Sequence, residues 1–407
     1  MYNNVALAVI PSGIKSSIVY SLIGGNMTFA RGSSATRRNK DGLIEYVDTS
    51  VPRLDYDGAI PHLLLEPQRS NELQYSEDFS NAYWTKLNTT FESNANIAPD
   101  GNTTADAIYE SSATGEHQVR RTSFSFNSSN PYYTFSVFAK YNGRNKFNIF
   151  SNNQNPWAVN ITFDLLLGVV SSENSGTGKI EDYGNGWYRC TAIGACSVTG
   201  SSNVTMRFRD DSNNTTYAGD VGKGVYIWGA QLEIGSYSTS YIPRLDTVTA
   251  TRTAETCLDA TGDFNSSEGV LFAEIAPLAD SGDLRILSVS DGTAANRISL
   301  FYGNSSKIIV GYVTVASSVQ CNMVYTATND YFNFLKIAVK FKENDFALWV
   351  NGVEVATDIS GITFPADTLT YFDFTNGGTG NNLYGKVRQA VVFNSALTDS
   401  QLAELTR

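Results

Sequence analysis

At 407 residues the chain exceeds what one hydrophobic core commonly serves, so two or three domains are expected. Charged residues make up 17% of it, against a usual share of about 25%, and its polar surface must come from Ser, Thr, Asn and Gly. A net charge of −11 argues against a broad nucleic-acid footprint, which needs clustered Lys and Arg.

In chain order, the opening MYNNVALAVIPSGIKSSIVYSLIGG is broken by Pro11, Gly13 and Lys15 and has no basic leader. It reads as neither a signal peptide nor a membrane span, so cytoplasmic synthesis without membrane insertion is expected. Residues 1–70 hold short apolar runs, the loop FARGSSATRRNKDG, and Pro52 and Pro61 around RLDYDG. Such runs cannot bury a core alone. The segment reads as an irregular N-terminal arm docking on a neighbour or on another chain, with the basic run Ala35–Lys40 as a solvated loop.

Residues 71–250 then alternate apolar and polar positions over Tyr133–Tyr141, Trp157–Leu165, Val204–Asp210 and Val225–Glu233, between turn clusters such as YGNGW and DDSNNTT. Period-two runs of this length predict antiparallel strands of a sandwich, with one face in the core and the other in solvent. The polar stretch 251–264 reads as a linker. Residues 265–407 repeat the texture in GVLFAEIAPL, RISLFYGN, KIIVGYVTV and DFALWVNGVEVATD. Asn351-Gly352 predicts a two-residue hairpin whose central positions need positive φ. TDSQ near the end predicts a capping box ahead of a short helix. The expected fold class is all-β: two antiparallel β-sandwiches after an irregular arm.

Chemistry is sparse. Cys190 and Cys196, if carried by one strand, would stand about 20 Å apart, and neither they nor Cys257 and Cys321 show metal or redox spacing. Free buried thiols are the reading. His62 and His117 lie in no triad-like setting, and no nucleophile, zinc or phosphate-loop motif occurs. The doublets Glu77/Asp78, Glu181/Asp182 and Asp210/Asp211 place neighbours on opposite faces of a strand, which disfavours a glycosidase pair. Aromatics beside amides suit saccharides better. The candidates are Tyr83, Trp84 and Trp157 with Asn153, Gln154 and Asn155, and Asn376, Asn381, Asn382 and Tyr384 on a Gly-rich loop. The competing reading is that aromatics fill cores and Gly/Asn loops are turns; Trp187 and Trp349 are assigned to cores.

The phrases FARGSSATRRNKDGLIEYV, PRLDYDG, LLLEPQRSNELQYSEDFSNAYWTK, GNGWYRC and VYIWGAQLEIGSYSTSYIPR resemble a set that recurs in phage virion proteins. Residues 71–245 also resemble jelly-roll carbohydrate-binding modules, with Asn71…Trp84 as the opening and Val225-Tyr226-Ile227 as the closing strand. Tyr75 and Phe79 join Trp84 in that seam. Residues 265–407 resemble concanavalin A-like sandwiches of the laminin-G or pentraxin type, through IAVKFKENDFALWVNGVEVATD and YGKVRQAVVFNSALTDSQLAEL.

The resemblance implies a fibre, spike or decoration protein on the virion surface, made in the host cytoplasm, that attaches to host-surface glycans without catalysis. It would contact other virion proteins through residues 1–70 and form homo-oligomers, trimers by analogy with fibres. The alternatives are a purely structural capsid or tail component and a glycan depolymerase. No cofactor is required. In many such modules an acid of the closing strand helps hold structural calcium; Trp228 stands there in this chain, leaving Glu77, Asp78 and Glu233 as candidate oxygen ligands.

Overall fold

The computed structural model describes residues 4–11, 18–151, 156–280, 284–328, 331–378 and 380–407. Nearly all regular structure in them is antiparallel β, and they hold one helix, Asp399–Leu405. The chain divides into two units, Met1–Ser34 with Val47–Gln68 and Thr253–Arg407, and Ala35–Tyr46 with Arg69–Arg252.

In the first unit a nine-stranded and a six-stranded sheet enclose one core, to which Leu271, Ile337 and Val339 contribute from the former and Leu287, Leu300 and Val313 from the latter. Each such buried side chain contributes about 1.5–3 kcal/mol. Asn351 and Gly352, at φ 47° and 85°, turn Phe346–Val350 into Val353–Asp358 as expected. Thr398 and Gln401 form the expected capping box, and Leu402 of the helix buries against the outer face of the larger sheet with Val270, Phe272 and Trp349.

The expectation of an irregular arm over residues 1–70 is corrected. Val5–Val9 and Ile60–Leu65 both pair with Gly385–Phe393, so apolar runs too short to form a core of their own complete the first unit's larger sheet. The expected linker 251–264 is also strand: Thr256–Leu258 pairs with Met27–Ala30, and Ala260–Thr261 with Tyr371–Asp373. Four side chains from these segments form a buried ionic knot. Glu255 accepts from Arg31 Nη1 at 2.8 Å, Arg53 Nε at 2.8 Å and the Glu66 N–H at 2.8 Å, while Arg53 Nη2 reaches Glu66 at 2.8 Å.

The second unit is two six-stranded sheets with crossover order, face to face. One runs Thr85–Leu87, Gln118–Phe126, Gly200–Phe208, Lys146–Phe150, Asn160–Asp164 and Val169–Ser175; the other runs Thr89–Asn96, Ala105–Glu110, Gly224–Ile234, Tyr132–Asn142, Trp187–Ala195 and Thr177–Asp182. Val119, Met206, Ile149 and Ile161 from the first meet Phe135, Val137, Val225 and Ile227 from the second. The outer face of the second sheet is covered as well, where Ile44 and Tyr241 bury Phe138, Trp187 and Trp228.

Asn71 locks the opening of this unit to its closing strand. Its Nδ2 donates to Ala230 O and Ile242 O, both at 3.0 Å, and its Oδ1 accepts from the N–H groups of Leu73 at 3.1 Å and Leu232 at 3.2 Å. Arg244 Nη1 donates to Asn71 O at 3.0 Å, and Ser76 Oγ meets Tyr241 Oη at 2.8 Å. The four cysteines are buried and free.

Candidate functional site

Two of the four aromatic candidates, Trp84 and Trp157, are withdrawn into the core. Trp84 is 1% exposed, packs on Phe79 and donates to Tyr75 O at 3.0 Å. Trp157 is 0% exposed, stacks on Phe126 and donates to Tyr133 O at 3.1 Å. Neither offers a ring face to a ligand, because a large apolar side chain in a two-sheet sandwich gains most by burial between the sheets. Tyr83 is half-buried, edge-on to Trp84 and beneath the Arg121 guanidinium. Asn153, Gln154 and Asn155 lie outside the described residues.

The calcium trio does not gather. Glu233 is fully buried and accepts from the N–H of Thr239 at 3.0 Å and from its hydroxyl. Asp78 caps its own turn through Ser80 and Asn81, and Glu77 accepts from Tyr241 Oη at 2.9 Å. Among the described residues no group of three or more His, Cys, Asp or Glu is placed to hold a metal ion.

On the Gly-rich loop, Asn382 Nδ2 donates to Tyr384 Oη at 3.0 Å, and the exposed Asn381 takes φ 47°. The Asn376 Oδ1 is enclosed without a hydrogen-bond partner. Gly377 must be glycine, since a Cβ there would meet Thr293 O at 2.1 Å. The loop docks beside Ile286 at the start of Arg285–Ser290.

The best-formed site lies where sequence reasoning placed plain solvent exposure, on the face of the second unit's first sheet that turns away from the core. Register lines up Gln118, Arg207, Asn148 and Thr162 in one row across neighbouring strands, and Arg120, Thr205, Phe150 and Asn160 in the next. Arg209, Lys146 and Asp164 continue the face beyond them. Arg207 Nε donates to Asn148 Oδ1 at 2.6 Å and Nη1 to Glu116 at 2.9 Å, with its guanidinium 4.0 Å over the half-buried Phe150 ring. Asn148 Nδ2 in turn donates to Asn160 Oδ1 at 3.1 Å and Thr162 Oγ1 at 3.1 Å. Arg209 reaches Asn213 O at 3.1 Å.

Several polar atoms of this face have no partner. Thr205 Oγ1, Ser172 Oγ, Arg120 Nε and Arg209 Nε are enclosed and unbonded, although Thr205 is 0% and Arg209 8% exposed. An enclosed polar atom left unpaired costs roughly 1–3 kcal/mol. Charge is unbalanced too. Lys146 pairs with Asp164 at 2.8 Å, and Arg207 with Glu116, which leaves Arg120 and Arg209 without a carboxylate among the described ion pairs. Burial pushes the Arg209 guanidinium below its ordinary pKa, and burial together with the charge of Arg209 does the same to Arg207. The signal for this face was in the sequence, as polar residues at every second position of VTMRFRD and NITFD and at Lys146 and Asn148 of KFNIF.

The other charged cluster of this unit closes on itself. Glu110 accepts from Arg144 Nε at 2.8 Å and Nη2 at 3.0 Å, from Tyr217 Oη at 2.5 Å and from the Asp220 N–H at 2.9 Å. His117 sits against Tyr217, with Nδ1 at 2.8 Å from Asn88 O. Such saturation makes it a brace for the loops around it.

No family model matches the sequence, and no curated protein matches it. Among solved structures, the chain is similar to the CBM40 module of Ruminococcus gnavus IT-sialidase bound to α2,3-sialyllactose, at 16% identity and TM-score 0.31, covering 37% of this chain and 94% of that one. It is similar to a heptameric SAP-like pentraxin from Limulus polyphemus at 15% identity and TM-score 0.27, covering 35% of this chain and 70% of that one. Mouse laminin α1 domains LG4-5 align at 9% identity and TM-score 0.23 over 70% of this chain and 89% of that one. Scores this low carry no weight for function.

Proposed function

We propose that the chain is a glycan-binding protein that holds an acidic saccharide on the polar sheet face of its second unit. One observation carries this: the partly exposed Arg120, Phe150 and Asn160 share one row of a single face, beside cations that outnumber their carboxylates. Sugar hydroxyls both donate and accept, which suits the Asn160 amide and the Arg120 guanidinium together. Phe150 offers an apolar surface for a C–H face. A carboxylate or sulfate on the glycan would meet Arg209 in charge-assisted bonds. The face is shallow, and attachment would gain strength from many copies.

The virion setting, as a fibre, spike or decoration protein, rests on the resemblance of the quoted phrases. The same reading is non-catalytic: Glu116 is engaged by Arg207 and Asp164 by Lys146, so neither serves as a free acid or base. A purely structural role is the second reading, and it has support. Arg31, Arg53, Glu66, Asn71 and Arg244, all within the phrases that carry the resemblance, are buried fold-locking residues. An array of acidic and neutral glycans probed with the full chain separates the two. Binding to acidic glycans without release of reducing ends is expected; failure to bind any acidic glycan would leave only the structural reading.

A further inference from the structure

The nine-stranded sheet of the first unit ends at Ser21–Ile23, which pairs with Val5–Val9. Register sets Ala8 opposite Ile23 and Val9 opposite Ser21, so a bulge leaves Leu22 without a partner across the ladder. Leu22 is 73% exposed, Ile23 43%, Ile10 42% and Tyr20 37%. Ala8 belongs to the cluster on the sheet's outer face, so Ile23 opposite it and Ile10 two positions on share that face. Tyr20 comes beside Ile10, because the pair Val9 and Ser21 precedes both in the ladder.

The patch is held firmly. Ser21 Oγ donates to Gly24 O at 3.0 Å and Gly25 O at 2.8 Å, and Asn26 Oδ1 accepts from the Ser21 N–H at 3.0 Å. It is also uncharged. No charged residue occurs at 5–10 (VALAVI), at 18–26 (IVYSLIGGN) or at 390–393, which lie beside the same strand. Elsewhere exposed apolar residues have an acid next to them: Val221 follows Asp220, Leu245 precedes Asp246, Val353 precedes Glu354 and Ile359 follows Asp358. On a chain of net charge −11, two copies meeting at those places would bring acids together, and two meeting at Leu22 would not.

We infer that this edge is where two copies of the chain pair, Leu22 of each seating against Ile10, Tyr20 and Ile23 of the other. A contiguous exposed apolar patch marks an interaction surface, whereas apolar residues exposed singly do not. One neutral patch is complementary to itself, and such a contact closes at two copies; a three-fold ring needs two different surfaces that fit each other. The bulge disfavours strand-to-strand pairing at this edge, so side chains carry the contact. A standard interface takes about 800 Å² per partner, more than four part-exposed side chains supply, so the pair is weak and reversible. The inference does not rest on the glycan reading.

Sedimentation equilibrium of the full chain, from about 1 μM to about 1 mM, tests it. A reversible monomer–dimer equilibrium is expected. Leu22→Lys sets like charges against each other across the contact and should weaken dimerisation by about tenfold or more, while Leu22→Met keeps it. Leu22 lies mostly in solvent, so Leu22→Lys should leave the unfolding midpoint of dilute protein unchanged, which separates lost pairing from lost folding. A monomer at every concentration, a trimer, or a dimer that Leu22→Lys leaves intact overturns the pairing.

Discussion

Arg53 and Glu255 stand 202 positions apart in sequence, and the guanidinium of one holds the carboxylate of the other through Nε at 2.8 Å and Nη2 at 2.5 Å. Both side chains are fully enclosed. This pair ties a segment expected to be a free arm to one expected to be a linker, so both belong to the first unit.

Breaking that pair should be severe. Arg53→Ala takes its guanidinium from the enclosed Glu66 and leaves Glu255 with Arg31, and loss of one partner of a buried pair costs about 3–5 kcal/mol. Urea unfolding of the full chain should show that loss in the transition of the first unit. A loss under 1 kcal/mol, by the same scale of about 3–5 kcal/mol, would mean that the knot is solvated.

Asn71→Ala should loosen the second unit. Four hydrogen bonds end on this side chain, and deleting it leaves two carbonyls and two N–H groups of the seam without it. A loss of about 3 kcal/mol in chemical unfolding is expected, with hydrogen exchange quickening first at Leu73 and Leu232.

His62 makes the first unit acid-sensitive. Burial, reinforced by Lys386, Arg388 and Arg53, pushes its ring down to about 3 from an ordinary 6.5. The folded state keeps the ring neutral while the unfolded chain takes up the proton, so stability present above pH 6.5 is lost as pH falls toward 3. His62→Leu should flatten that slope in unfolding midpoints measured from pH 7 to pH 4.

Glu77 works the other way in the second unit. Burial, with the charge of Asp100 adding, outweighs the Tyr241 hydrogen bond and lifts its carboxyl to about 7 from 4.5. Above pH 4.5 the unfolded chain ionises while the folded one does not, so stability falls as pH rises toward 7 and stays lower beyond it. Glu77→Gln should remove a drop on the order of 3 kcal/mol, read as the difference in unfolding free energy between pH 4.5 and pH 8.

Strand positions were legible because apolar residues at every second position of stretches such as Tyr133–Tyr141 and Val225–Glu233 mark a strand, although both faces of these two are buried in the fold. The Asn351-Gly352 turn and the Thr398 cap were legible because they are local. Pairing of Val5–Val9 with Gly385–Phe393 was not, since nothing in either run names a partner nearly four hundred residues away. Trp84 and Trp157 misled because a ring beside Asn residues reads alike whether it faces a sugar or a core. The polar phase of Thr205, Arg207 and Arg209 was visible in sequence. That Thr205 Oγ1 and Arg209 Nε would be enclosed was not, because burial of a strand's outer face depends on the loops folded around it.

The central claim is most directly tested by titration calorimetry of an acidic oligosaccharide, chosen from the array, into the full chain and its Arg120→Gln and Arg209→Gln variants. Arg120→Gln removes a partly exposed guanidinium that closes no described ion pair, so it should fold normally and bind at least tenfold more weakly. Arg209→Gln should abolish the preference for acidic over neutral glycan and much of the salt dependence. Unchanged affinity in both variants would contradict a binding role for this face.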